Sequence, residues 1–291
     1  MAAAVVWSLA PAVSFAAPAR FSPALGPVSE QSASERAVQS GEAVAVTAAT
    51  TEYTTTVANP DGTFTLTQST QPQRARTEDG TWAGIDTTLV TRADGTVGPK
   101  NAVVDLSFSG GGNGSQMVRL GVGEKVLGLG WPGTLPKPAL AGATATYANV
   151  PVDDVDLQLT ATAEGYREVL VVKTAQAAAS PELQQVRLST VGEGLSVVPG
   201  EGGGVRAVDA DGNAVLRGPA GQMWDSAGDD DTQGGPEPQL LRAAQEPQPQ
   251  SQQESGRDPA TPGQGDASAE LPVEVRDGSI SVVPDQDLLR G

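Results

Sequence analysis

The clearest pattern of hydrophobic and polar positions lies in residues 147–173. From residue 155 to residue 159, Val and Leu alternate with polar residues, which predicts a strand with one buried face. Glu164-Gly165 supplies a tight turn, and residues 169–172 are then apolar at every position. A strand that is apolar on both faces is typical of the interior of a sheet. The pattern therefore predicts a β-hairpin deep in a β-sheet.

Short strands separated by Gly, Pro, Asn and Asp turns recur along the chain. In Asn59-Pro60-Asp61-Gly62, Pro presets φ and Gly takes the left-handed position of a turn. Such closely spaced turn signals are typical of an all-β sandwich or barrel. The further predicted strands cover residues 43–46, 52–57, 63–68, 85–90, 103–108, 117–120, 125–131, 186–190, 195–198, 205–208 and 214–217.

The predicted fold class is all-β, with one large or two packed β-sandwich-like units and a long disordered insertion. The Pro-rich segment 132–138 divides the folded part, because Pro cannot donate to a strand ladder and belongs at strand ends. The first β-unit then covers residues 43–131 and the second covers residues 139–225. A short helical turn or an irregular loop is expected over residues 175–179.

The predicted insertion covers residues 226–270, which are acidic and rich in Pro and Gln. With few aromatic or β-branched residues, this segment cannot bury enough apolar surface to offset the entropy of ordering it. Residues 271–283 predict a terminal β-hairpin, which we expect to dock on the core because an isolated hairpin is only marginally stable. The chain stops at residue 291 without an evident terminus, as a fragment or a truncated reading frame does.

Residues 1–19 have the composition of a secretory signal peptide. The segment is apolar, and both Ala17-Pro18-Ala19 and Ser14-Phe15-Ala16 fit the small-residue pattern of a cleavage site. A positively charged start is missing, which a start codon assigned too far downstream would explain. A disordered or helical Ala-rich N-terminus without a targeting role is the alternative. We expect a secreted, extracellular protein, with a linker over residues 20–42 that contains a short helix over residues 34–39.

Composition and charge exclude several classes of partner and chemistry. The net charge is −17, so no basic surface is expected that would bind nucleic acid or an anionic membrane. The chain contains no stretch of about 18 consecutive apolar residues, so membrane insertion is not expected. The chain has neither Cys nor His, which removes disulfides, thiol nucleophiles, zinc-thiolate sites and a Ser-His-Asp triad. We expect no cofactor and no metal.

The densest group of carboxylates in the predicted folded part is Asp153, Asp154 and Asp156. Paired carboxylates support glycoside hydrolysis or Ca²⁺ binding. Successive strand residues point to opposite faces, so these residues are expected to cap a turn and begin a strand. Residues 209–213 lack the full spacing of a Ca²⁺ loop and predict a hairpin turn. Residues 110–115, GGGNGS, lack the ending of a phosphate-binding loop and predict a flexible hairpin loop.

Trp82, Trp131 and Tyr147 are the candidate ligand-binding residues. Exposed together on one face, their rings would stack on sugars. Burial is the competing interpretation, because only 4% of the residues are aromatic and a core needs its large apolar side chains. Trp131 is the first candidate for exposure, since Gly and Pro flank it. No catalytic residue is predicted.

Residues 43–291 resemble the N-terminal region of large secreted actinobacterial proteins. The resemblance lies in VANPDGTFTLTQSTQPQRAR, DGTWAGIDTTL, DLSFSGGG, ATYANV, VDLQLTATAEGYREVLVVK, MWD and VVPDQDLLRG. In those proteins, this region precedes LamG-like jelly rolls, DNRLRE-type modules, RHS/YD repeats or polymorphic-toxin tails. A Pro-Gly pair usually stands before the Asp-Leu pair, whereas this chain has Pro151-Val152-Asp153-Asp154-Val155. The resemblance implies export and a multidomain context, without a reaction or a set of site residues.

These observations predict a non-catalytic, secreted scaffold or packaging β-module at the N-terminus of a larger extracellular protein. Its expected partners are sibling domains of a larger chain or cell-surface polymers. A carbohydrate-binding module that uses exposed Trp and Tyr is the alternative. A glycosidase that uses carboxylates is a remote third hypothesis, and it requires two carboxylates that converge in a cleft.

Overall fold

The computed structural model describes residues 3–11, 27–77, 79–113, 116–226, 261–263 and 265–290. These residues form mostly antiparallel β-strands in several sheets with few helices, in agreement with the predicted all-β class. The α-helices are α1 (Glu30–Ser40), α2 (Ala175–Ala178) and α3 (Gln286–Arg290), and three short 3-10 turns cover Thr47–Ala49, Pro181–Leu183 and Glu201–Gly203. The strands of the first half are β1 (Ala3–Pro11), β2 (Val44–Ala45), β3 (Thr54–Ala58), β4 (Phe64–Gln68), β5 (Arg74–Arg76), β6 (Trp82–Gly84), β7 (Asp86–Thr91), β8 (Val97–Asn101), β9 (Asp105–Phe108), β10 (Gln116–Val122), β11 (Lys125–Gly130), β12 (Ala139–Ala141) and β13 (Thr144–Tyr147). Those of the second half are β14 (Val155–Ala161), β15 (Tyr166–Val172), β16 (Val186–Glu193), β17 (Ser196–Pro199), β18 (Val205–Val208), β19 (Ala214–Gly218), β20 (Gly221–Trp224), β21 (Ser268–Leu271), β22 (Val273–Arg276) and β23 (Ser279–Val282).

Two large sheets contain most of these strands. One has ten strands, in the order β12-β13-β14-β15-β1-β19-β18-β17, and β20 pairs with both β1 and β21. The other has eight, in the order β22-β23-β16-β11-β10-β9-β8-β7. A three-stranded sheet, β2-β3-β4, and the β5-β6 pair lie outside them. Every pairing between strands is antiparallel, so short turns and hairpins build most of the architecture.

The β14–β15 hairpin has the register that its sequence pattern predicts. It runs from Val155 opposite Val172 to Ala161 opposite Tyr166. In β14 the burial alternates strictly between buried and half-buried residues, whereas residues 168–172 of β15 are all buried. Strand β15 has a hydrogen-bonded strand on each side, and its apolar residues are buried on both faces: Leu170 and Val172 in the main core, and Val169 and Val171 in a cluster with Trp224.

One hydrophobic core joins the two large sheets and gives the fold its sandwich-like character. Leu120 and Leu129 of the eight-stranded sheet belong to the same buried cluster as Leu157 of the ten-stranded sheet. The rings of Phe108 and Tyr166 meet edge to face between the sheets, with centroids 6.1 Å apart.

The two predicted β-units share this core. The segment 132–138 does separate strands of the eight-stranded sheet from strands of the ten-stranded sheet. However, β16 comes from the second predicted unit and pairs with β11 of the first. The terminal hairpin is present as β22 and β23, and β23 docks on β16 from Val186 opposite Val282 to Ser189 opposite Ser279. Distant segments of the chain thus complete the same sheet.

The predicted linker over residues 20–42 contains a packed helix in its described part. Ser29 caps α1 by accepting a hydrogen bond from the Ser32 amide, and Gly41 ends the helix with φ +72°. Ala33 and Ala37 are one turn apart and pack against residues of β2, β3 and the intervening turn in a small separate cluster. The helix is therefore longer than residues 34–39, because an apolar face with good caps extends it.

The leader-like N-terminal segment contributes an interior strand. Strand β1 pairs with β15 on one side and with β19 and β20 on the other. Residues 1–2 and 12–26, and with them both candidate cleavage sites, lie outside the described residues. The predicted acidic segment 226–270 also lies largely outside them, although its last residues form most of β21, which pairs with β20.

Candidate functional site

Tyr147 occupies the core. Its side chain has no exposed surface, and its hydroxyl donates a 2.5 Å hydrogen bond to the Ser109 carbonyl. This bond joins β13 of the ten-stranded sheet to the end of β9 in the eight-stranded sheet. Desolvation by burial raises the pKa of the phenol well above its usual value. A ring with no exposed surface cannot stack on a sugar, so Tyr147 does not serve the predicted binding face.

Trp82 and Trp131 are both half-buried and lie in different parts of the fold. Trp82 belongs to the β5–β6 pair, where the Arg76 guanidinium lies 4.0 Å from the centre of its ring. The indole nitrogen of Trp82 is buried without a hydrogen-bond partner among the described residues. Trp131 directly follows β11 and packs against the main core. The three aromatic candidates therefore come from three different sheets or their ends.

The acidic triplet forms a turn and the start of a strand, as its spacing predicts. Asp153 and Asp154 lie in the turn, and Asp156 lies in β14. The Asp156 carboxylate pairs with the Lys173 ammonium at 2.6 Å. Asp154 has φ +62° and accepts a hydrogen bond from the Thr174 hydroxyl at 3.3 Å. These partners hold the β14–β15 hairpin together at its open end.

The DADGN segment at residues 209–213 is the hairpin turn between β18 and β19. The Asp209 carboxylate accepts hydrogen bonds from the backbone amides of Asp211 and Asn213, which stabilises the turn. It also forms a 2.6 Å ion pair with Lys125. The Lys125 pair and the backbone bonds lower the pKa of this carboxyl. Both oxygens of the Asp209 carboxylate are therefore used within the protein, one by the Lys125 ammonium and the other by the two backbone amides.

Within the described ranges, no group of three or more acidic residues has the geometry to hold a metal ion. In the same ranges, no helix combines the length and apolar character needed to cross a bilayer.

A shallow cleft of about 290 Å³ lies where β16, β17 and β22 meet. It is lined by Leu127, Thr190, Gly192, Leu195, Ser196, Val197, Val275 and Gly278. None of these lining residues has an ionisable side chain, so none of them could act as a general acid or a general base.

Glu168 is a buried ionisable residue that the sequence analysis did not single out. It lies in β15 with 4% of its surface exposed. It belongs to the alternating set of Tyr166, Leu170 and Val172, which point into the main core. One of its carboxylate oxygens has no hydrogen-bond partner among the described residues, and burial raises the pKa of the carboxyl to about 8. The available signal in the sequence was a charged residue that continues the alternating set of Leu170 and Val172, directly before an apolar run.

Comparison of this chain with protein-family models, with curated proteins and with solved structures finds no match. The resemblance to secreted actinobacterial proteins therefore stays a prediction from the residues, and so does every function drawn from it.

Proposed function

We propose that this chain is a non-catalytic, secreted β-module that serves as a scaffold or packaging region of a larger extracellular protein. Its partners are sibling domains of that protein or cell-surface polymers. The observation that carries the proposal is that the candidate carboxylates form ion pairs that hold strands and turns together. Asp156 pairs with Lys173 across the β14–β15 hairpin, and Asp209 pairs with Lys125 between the two sheets.

The sandwich-like core also supports the scaffold proposal. Long-range pairings, such as β16 with β23 and β1 with β15, tie distant parts of the chain into two sheets. A framework of this kind resists local opening, because most backbone groups are paired within it. It therefore suits a module whose role is to hold neighbouring parts of a protein in place.

The first test concerns export. The full chain is expressed with its own N-terminus in a bacterial host that secretes proteins, and the medium and the cells are analysed separately. We expect the protein in the medium, with a new N-terminus at Ala17 or Arg20, measured by N-terminal sequencing and intact mass. Uncleaved protein that stays inside the cells would contradict the proposal.

A carbohydrate-binding module is the second candidate, favoured by the partial exposure of Trp131 and Trp82. Binding to insoluble cell-wall polymers and plant polysaccharides is measured by co-sedimentation. If sugar stacking were the function, Trp131→Ala or Trp82→Ala would lower binding at least tenfold. The buried Trp224→Phe would serve as the matched control and leave binding unchanged. Under the scaffold proposal, we expect the same low retention for all four proteins.

A glycosidase that uses carboxylates remains the third hypothesis. It requires an acid and a second carboxylate about 5–9 Å apart across a substrate cleft. Glu168 has the raised pKa that suits a general acid, but it faces the packed core.

A further inference from the structure

The ten-stranded sheet contains a slot that is one strand wide, between β15 and β20. Strand β1 fills it. Ala4, Val5 and Val6 each have a register partner on both sides: Val171, Leu170 and Val169 in β15, and Trp224, Met223 and Gln222 in β20. Beyond β20, the pairing with β15 continues to Leu9 opposite Tyr166, and β19 pairs with Ala10 and Pro11. Without β1, β15 would therefore present an unpaired edge along its whole length.

Residues 169–172, together with Met223 and Trp224, make the walls of the slot apolar on both faces of the sheet along that part. Leu170 and Val172 belong to the main core on the inner face, together with Met223 of β20. On the outer face, Val169 and Val171 form a small buried cluster with Trp224 of β20, although β1 lies between the two strands. A long apolar edge with unpaired backbone groups favours the addition of another strand. The slot therefore requires an occupant.

The register sets the pattern of residues that the occupant needs. Four positions lie opposite residues 169–172, which are buried and apolar, and this chain supplies Ala3, Ala4, Val5 and Val6 there. One position lies opposite the exposed Arg167, and this chain supplies Ser8. The pattern is thus four small or apolar residues, then a residue opposite the buried Glu168, where this chain has Trp7, and then a polar residue opposite Arg167.

The segment that fills the slot is the same segment that has the composition of a leader peptide. Cleavage after Ala16 or Ala19 would remove β1 from the exported protein and open the slot. We propose that the slot between β15 and β20 is a strand-acceptor site. The N-terminal segment fills it before processing, and an extended segment of a partner polypeptide with the same residue pattern fills it afterwards. This inference rests on the proposed export, because only processing empties the slot.

The test uses the full chain, with the recognition sequence of a site-specific protease inserted between Ala19 and Arg20. The protein folds with β1 attached and is then cut. The probe is a labelled peptide with the sequence of residues 3–11, added in excess. The matched control peptide carries V5S and S8V, which keeps the composition but places Ser opposite Leu170 and Val opposite Arg167. Fluorescence anisotropy measures binding, and hydrogen exchange with mass spectrometry measures protection of β15.

We expect the cut N-terminal segment to stay with the protein in size-exclusion chromatography and to exchange with the labelled peptide. The control peptide should bind at least tenfold more weakly, and β15 should lose protection only while the slot is empty. Equal binding of both peptides would overturn the proposal. So would release of the segment from a protein that keeps β15 protected, or unfolding on release that added peptide does not reverse. These measurements use purified protein and do not depend on secretion, so failure of export and failure of the acceptor site give different results.

Discussion

At the scale of single residues, Glu168 is a carboxylate at a buried position of β15. A carboxylate transferred from water into an apolar core loses its hydration, and a nearby cation or several hydrogen-bond donors must compensate. One oxygen of Glu168 has no such partner among the described residues, so the protonated form is favoured and the pKa of the carboxyl rises to about 8. Tyr166 lies next to it on the same face, and its pKa is raised by burial and by the Glu168 charge.

The pH dependence of stability should reflect this carboxyl. Between its ordinary value of 4.5 and about 8, the unfolded state has released the proton and the native state retains it. The free energy of unfolding should therefore fall as the pH rises through this window, by up to roughly 1.4 kcal/mol per pH unit. In Glu168→Gln this slope should disappear, so the stability of the variant relative to the unmodified protein should be greater at pH 8 than at pH 5. Urea unfolding at several pH values measures the difference, and the exposed Glu274→Gln is the control. A slope equal to that of the unmodified protein would show that Glu168 does not titrate in this way.

Tyr147 shows why the exposure of a single aromatic side chain is difficult to predict from sequence. A Tyr near a turn has the same local sequence whether its ring faces solvent or the core. In this fold, the β13–β14 register and the hydrogen bond to the Ser109 carbonyl place the ring between the sheets. Whether the Tyr147 ring is buried depends on contacts between segments almost forty residues apart, and the local sequence pattern carries no information about such contacts.

At the scale of elements, the Gly-rich loop has a structural role beyond flexibility. Gly112 and Leu135 exchange backbone hydrogen bonds of 2.8 and 3.3 Å, which ties the loop to the segment before β12. Gly110 passes so close to the turn between β7 and β8 that an added Cβ would lie 1.9 Å from the Gly95 carbonyl oxygen. The glycine at position 110 is therefore required by a close approach of two backbones.

Gly110→Ala should test that close approach. The new methyl group would force the turn at Gly95 to move, and we expect a loss of about 1–3 kcal/mol in the free energy of unfolding. Gly84→Ala is the matched control, because a Cβ there meets no atom within 4 Å. It should change stability by less than about 0.5 kcal/mol. Chemical denaturation compares the two variants, and similar losses for both would argue against the packing explanation.

Strands in which apolar and polar residues alternate clearly between recognisable turns were predicted well. Strands without that pattern were missed. The β14–β15 and β22–β23 hairpins have the predicted turns and partners. Strand β8 was missed because Gly98 and Pro99 lie within it, and such residues normally argue against a strand. The antiparallel neighbours β7 and β9 nevertheless hold it in the sheet. Tertiary context here overrides local propensity.

At the scale of the whole molecule, the two large sheets should unfold together, because they bury their apolar faces against each other. Leu129 and Leu157 come from different sheets and are both fully buried in the same cluster. The cluster of α1, β2 and β3 is separate, and its Val46 is equally buried. If burial alone mattered, substitution by Ala would lower the stability of the whole protein similarly at all three positions. The division into two clusters predicts instead that the change at Val46 affects only local stability.

Leu129→Ala and Leu157→Ala should each lower the free energy of global unfolding by about 2–5 kcal/mol. Val46→Ala should instead increase local opening of α1 and β2 and leave the main transition nearly unchanged. Urea unfolding measures the global effect, and hydrogen exchange resolved by peptide measures the local one. A loss of protection in β14 and β15 caused by Val46→Ala would show that the two clusters form one cooperative unit.

By itself, the sequence determined that the chain is built from antiparallel strands and hairpins, because alternation and turn residues act locally. It also placed the acidic triplet in a turn and the last hairpin at residues 271–283. Only the tertiary structure decided that the two predicted β-units share one core and that Tyr147 and Glu168 face it. It alone places residues 3–11 between β15 and β20. The physical reason is that strand pairing and burial depend on contacts between distant segments, and the period-two pattern of a strand does not specify its partner.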